Sequence, residues 1–100
     1  MSKKMTLEDK KRATASFVAQ CIVARENTPV TQGQCMKELL VQVQNLSNND
    51  KLTLQHLKDS LQQWVNEGWA TIRTDVLQIT RHGQNKIHDI ARNNPLALTA

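Results

Sequence analysis

The stretch that decides the fold is Thr53-Leu54-Gln55-His56-Leu57-Lys58-Asp59-Ser60-Leu61-Gln62-Gln63-Trp64-Val65-Asn66-Glu67-Gly68-Trp69, continued by Ala70-Thr71-Ile72-Arg73-Thr74-Asp75-Val76-Leu77-Gln78-Ile79-Thr80-Arg81-His82-Gly83. Its first half has the helical period. Leu54, Leu57, Leu61, Trp64 and Val65 form one apolar stripe, so a helix is predicted over 53–67. Thr53 suits its N-cap and Gly68 the left-handed residue that ends it. From Trp69 to Thr80 the period changes to two. Ala70 and Ile72 alternate with Thr71 and Arg73, and Leu77 and Ile79 with Gln78 and Thr80, which predicts a hairpin turning at Thr74-Asp75 with one buried face. That pair is not the favoured Asn-Gly, so the turn leaves the register open. Thr80 then caps a last helix with Gly83, Ile87, Ile90 and Ala91 on one face and Arg81, His88 and Arg92 on another. Asn93-Asn94-Pro95 ends it.

Upstream, Thr6-Leu7-Glu8-Asp9 is a helix start, with two acids at the positive end of the dipole. This first helix is expected to run to about Arg25. Nine of the twelve residues from Ala13 to Ala24 are apolar, so it is either central or shared between subunits. Asn27-Thr28-Pro29 breaks that helix. Thr31-Gln32-Gly33-Gln34 has the spacing of a capping box, with Val30 and Cys35 placed for a hydrophobic staple. The second helix would bury Met36, Leu39, Leu40 and Val43. Gln44 to Leu52 is expected to be a polar loop.

One hundred residues with 39% apolar content make one domain, 1–100, with a modest core. Residues 1–5 are expected to be a flexible basic arm and 95–100 a tail. The net charge is +4, of which residues 1–12 hold +3 through Lys3, Lys4, Lys10, Lys11 and Arg12 against Glu8 and Asp9. Such an arm suggests an anionic partner or a solubilising terminus. No apolar run approaches the roughly 20 residues of a membrane span, so no membrane association is expected. Nothing at the N-terminus reads as a signal peptide. Two cysteines without a CxxC spacing suit a reducing, cytoplasmic setting.

The helix, helix, helix, hairpin, helix order resembles the winged helix-turn-helix superfamily. The local likeness is to small bacterial regulators of the PadR and MarR type, carried by Leu57, Leu61, Val65, Glu67, Gly68, Trp69, Ile79, Thr80 and Gly83 over about residues 7–93. The implied fold is mainly α with a small β-hairpin, and the implied function is homodimeric, DNA-binding transcriptional regulation. One departure is the loop between the second and third helices, longer than the tight turn of the simplest helix-turn-helix.

At 100° per residue the third helix turns Gln55, His56, Asp59, Gln62, Gln63 and Asn66 outward, with Lys58 on the flank. Carboxamides can pair with adenine in the major groove, and Thr53 with the free amides at the helix start can hold a phosphate. The expected DNA-binding residues are therefore Thr53, Gln55, His56, Lys58, Gln62 and Arg73, the last serving the hairpin. Arg81 and Lys86 are expected near Arg73. A solvated polar face would have the same composition. Residues 51–68 carry no net charge, so attraction to DNA must come from elsewhere. That neutrality supports the alternative of a protein–protein interaction module without DNA binding. Dimerisation is expected through the first helix, the last helix or both.

Catalysis has no support: neither zinc-ligand spacing, a glycine-rich phosphate loop nor a nucleophile elbow occurs. No enzyme activity, metal or cofactor is expected. Cys21 and Cys35 read as buried thiols, and Trp64 and Trp69 as core anchors.

Overall fold

The computed structural model describes residues 6–25 and 27–92. The expected basic arm, the Asn93-Asn94-Pro95 stop and the tail lie outside them. Five helices and three short strands follow in the order α1 (Leu7–Val23), β1 (Gln34–Cys35), α2 (Met36–Ser47), α3 (Leu54–Ser60), α4 (Gln62–Asn66), β2 (Ala70–Arg73), β3 (Val76–Ile79) and α5 (Gln84–Arg92). The class is mainly helical with a small antiparallel sheet of strand order β1-β3-β2. No helix among the described residues is long and apolar enough to cross a membrane.

α1 begins as its sequence predicts. The Asp9 amide donates to the Thr6 hydroxyl at 3.1 Å, and the Thr6 amide donates back to the Asp9 carboxylate at 3.3 Å. This reciprocal box satisfies two amides that the first turn leaves unpaired. α1 packs against α2, α3 and α5, burying Val18, Ala19 and Ile22. Thr14 and Ser16 are buried there too. Their hydroxyls donate to the carbonyls of Lys10 and Arg12, both at 2.9 Å, which removes the cost of burying them unpaired.

The capping box expected at Thr31–Gln34 does not form. α2 starts at Met36 with Cys35 as its N-cap and no side-chain cap bond. Gln34 and Cys35 instead pair with Leu77 and Val76 of β3, and the Met36 amide donates to the Asp75 carbonyl at 2.7 Å. The sheet thus takes up the backbone groups that a cap would have served. Two residues are too short to display a period, so this strand leaves no sequence pattern. Cys35 is consequently exposed rather than buried, and Val30 is buried without forming the expected staple.

α2 also runs into the segment expected to be loop, ending at Ser47. Asn48 takes the left-handed conformation at φ 54°, and the Asn49 amide closes on the Gln44 carbonyl at 2.9 Å. Asparagine here does what glycine usually does at a helix end. The Gln44 carboxamide donates to the Leu52 carbonyl at 2.8 Å, tying down the shorter connection that remains.

The helix expected over 53–67 is two helices. Leu61 sits at φ −94° and ψ 0° between α3 and α4, with its amide shared between the carbonyls of Leu57 and Lys58. Leu57, Leu61 and Trp64 are all buried, so the apolar stripe survives the break. α4 ends in a Schellman closure. Gly68 is at φ 76°, its amide donates to Val65, and the Trp69 amide donates to Trp64 at 2.8 Å.

The hairpin register follows the alternation, pairing Ala70 with Ile79 and Ile72 with Leu77. Ala70, Leu77 and Ile79 join the core. Thr74 and Asp75 are both left-handed, at φ 49° and 60°, the geometry that Asn-Gly adopts without strain. A β-branched residue is poorly suited to that region. Thr74→Asn is therefore expected to raise the unfolding free energy by about 0.5–1 kcal/mol, read as a higher midpoint in urea at unchanged slope.

Candidate nucleic-acid interface

Thr53, Gln55 and Gln62 are exposed, as expected, and His56 and Lys58 are half-buried. The Thr53 hydroxyl caps α3 by accepting from the His56 amide at 3.1 Å. Gln55 donates to the Asp59 carboxylate at 2.9 Å, and Gln62 to the Asn66 side-chain oxygen at 3.0 Å. These four side chains lie one helical turn apart and make a continuous carboxamide strip with a single carboxylate in it. Each glutamine keeps its own carbonyl and one N–H for a partner.

His56 leaves that strip and turns to α1. Its Nε2 lies 3.4 Å from the Thr14 hydroxyl. That hydroxyl already donates its proton to Lys10, so the bond requires the proton on Nε2. His56 thus tethers α3 to α1 rather than standing free on the outer face.

Lys58 turns the opposite way. Its Nζ meets the Asp75 carboxylate at 2.7 Å, fixing the hairpin tip to α3. The Lys58 hydrogen bond, then its charge, hold the Asp75 carboxyl below the usual range, with Lys37 adding to the effect. The sign follows from linkage: a depressed folded-state value stabilises above the ordinary aspartate range and is lost as pH falls through the depressed value. Asp75→Asn is expected to flatten the acid limb of the stability curve below about pH 4. An unchanged acid limb would show the pair to be idle.

In the sequence Lys10 and Lys11 belong to a general basic segment. Folding gives them a definite position. Lys10 and Lys51 line a groove with Thr53 and His56, and Lys11 and Arg12 line one with Gln62, Gln63 and Asn66. The N-terminal half of α1 therefore runs beside the carboxamide strip. Lys58, on the flank of α3, and Lys37 of α2 both act on Asp75 at the hairpin tip. Nothing in the local sequence signals this, because it depends on how α1 crosses α3.

Arg73 does not join these residues. Alternation along β2 turns it to the outer face of the sheet, into a groove shared with Arg81. The expected proximity of Arg73 and Arg81 holds. Lys86 instead lies over the Trp69 ring, 5.9 Å from its centroid. Trp64 is buried and Trp69 half-buried, both packed with the core. Cys21 is half-buried, and burial pushes its thiol up, away from a reactive thiolate.

No protein family, curated protein or solved structure matches the chain. The functional reading therefore rests on geometry and charge.

Proposed function

We infer that this chain is a winged helix-turn-helix DNA-binding protein acting as a homodimeric transcriptional regulator in the reducing cytoplasm. The order helix, strand, helix, helix, hairpin, with strand order β1-β3-β2, supports that assignment. The observation that carries the functional reading is the carboxamide strip of α3 and α4 bracketed by lysines. Lys10, Lys11 and Lys51 line grooves beside it, and Lys37 and Lys58 act on Asp75 at the hairpin tip. In this reading the strip enters the major groove, with Gln55 and Gln62 reading base edges while the flanking lysines meet phosphates. Residues 51–68 remain neutral with Lys51 and Lys58 included, so in this reading the added attraction comes from Lys10, Lys11 and Lys37.

The dimer would form where α1 and α5 end, along Val23, Ala24, His88 and Ala91. A stable monomer in sedimentation would sink that part. A protein-interaction role is favoured by one observation: Val41 and Leu46 of α2 are 55% and 48% exposed, and Leu46 shares a groove with Cys21 and Ala24. The apolar patch of Leu46, Cys21 and Ala24 suits a partner protein.

Fluorescence anisotropy with a labelled random-sequence duplex separates the two. Saturable binding is expected at low salt, weakening about tenfold or more between roughly 50 and 200 mM salt. Absence of binding at low salt would end the DNA reading. Gln55→Ala is expected to leave random-duplex affinity within about twofold and to cost about 1–3 kcal/mol at a selected site.

A further inference from the structure

Among the described residues no helix covers the outer face of the sheet, which forms a second polar concavity distinct from the α3 face. Thr71, Arg73 and Gln78 project from β2 and β3. Thr31, ahead of β1, and Thr80-Arg81, behind β3, complete the lining of this open groove of about 470 Å³. None of its lining residues belongs to α3 or α4.

The groove carries positive charge. Arg12, Lys58 and Arg92 each stand beside a carboxylate. Arg73 and Arg81 share one concavity without an acidic residue in its lining, and among the described residues neither makes an ion pair. Arg73 lies opposite Val76 at the hairpin tip and Arg81 two residues past Ile79 at its base, so the groove has a cation at either end and attracts an anion.

The walls between them are already fixed. The Gln78 carboxamide donates to the Thr31 carbonyl at 3.2 Å. The Thr80 hydroxyl donates to the Gly68 carbonyl at 2.7 Å and accepts from the Gly83 amide at 3.1 Å. These bonds fix Gln78 and Thr80, which leaves Arg73 and Arg81 to be ordered when a ligand enters. The Thr71 hydroxyl makes no side-chain hydrogen bond among the described residues and faces the same space.

We propose that the Arg73–Arg81 groove is a binding site for the phosphate dianion of a small phosphorylated molecule, separate from the α3 surface. A guanidinium fork binds a phosphate dianion through paired hydrogen bonds, and the cation at the other end of the groove adds attraction. Thr71 supplies a further donor. The volume falls in the range of small-ligand sites, with room for an organic group beyond the phosphate. Duplex backbone presents the same chemistry as single negative charges spaced along a long rod, so the two sources are separable by experiment. The proposal does not depend on DNA binding by α3.

Isothermal titration calorimetry with inorganic pyrophosphate, at ionic strength held constant with chloride, tests it on the full chain. One saturable site is expected. Arg73→Gln and Arg81→Gln are each expected to weaken it about tenfold or more, with melting temperatures unchanged because both side chains are exposed. Lys86→Gln, outside the groove, is expected to bind like the parent. Absence of pyrophosphate binding, or equal binding by either arginine variant, would overturn the site. Duplex binding that falls with Arg73→Gln while pyrophosphate does not bind would assign the groove to nucleic-acid backbone instead. Loss of duplex binding with pyrophosphate binding intact would remove the DNA reading and leave this site standing.

Discussion

Gly83→Ala is expected to destabilise the fold by about 3 kcal/mol or more, lowering the thermal midpoint by about 12 °C or more. A Cβ at Gly83 would overlap the carbonyl oxygen and Cα of Trp69. Both are backbone atoms, and they are held from several sides. The Trp69 carbonyl accepts the Thr80 amide at 2.9 Å, and the Trp69 amide closes the end of α4. The Thr80 hydroxyl bridges the Gly68 carbonyl and the Gly83 amide. The Glu67-Gly68-Trp69 corner and the Thr80-to-Gly83 turn therefore form one knot, with no room to accept a methyl group. Gly33→Ala is the control. There a Cβ would meet only the Val76 side chain, at 3.0 Å. Val76 is exposed and can rotate away, so a loss under about 1 kcal/mol is expected. Equal losses at the two glycines would refute the knot.

The second large effect concerns attraction to nucleic acid. Lys11→Glu and Lys37→Glu are each expected to weaken random-duplex binding about tenfold or more and to reduce the steepness of its salt dependence. They reverse one charge beside Gln62 and Asn66 and one near the hairpin tip at Asp75, and no described ion pair involves either lysine. Folding should therefore be retained, checked by an unchanged circular dichroism melt. Lys58 is a poorer choice, because its removal also releases the hairpin tip at Asp75. If one lysine matters and the other does not, the strip docks obliquely. If neither matters, the lysine bracket does not attract DNA.

Much of this fold was legible because several local signals agreed. The Thr6 box, the Leu57-Leu61-Trp64 stripe, Gly68 as a helix end and the period-two hairpin each have one physical cause, and each appears where the residues place it. The failures share a different cause. Thr31–Gln34 carries a capping pattern, but pairing with β3 claims Gln34 and Cys35, a long-range interaction that outweighs a local preference. The Gln- and Asn-rich run after Val43 looks like loop by composition. Asn48 extends the helix by supplying the left-handed closure usually read from glycine. The candidate site was legible in part. Gln55 and Gln62 lie on the outward strip as helical periodicity requires. His56 and Lys58 are diverted to Thr14 and Asp75, partners 42 and 17 positions away. The lysines that could offset the strip's neutrality come from α1 and α2, so only the tertiary fold brings them there.

The central claim is that duplex DNA docks on the strip of α3 and α4 between its lysine flanks. Its most direct test is amide chemical-shift mapping of the isotope-labelled protein on addition of duplex at low salt. The account predicts that Lys10, Lys11, Gln55, Asp59 and Gln62 shift first, with Cys21 and Leu46 unmoved. Shifts confined to Thr71, Gln78 and the outer sheet face, or to Cys21 and Leu46, would contradict it, as would a spectrum that does not change.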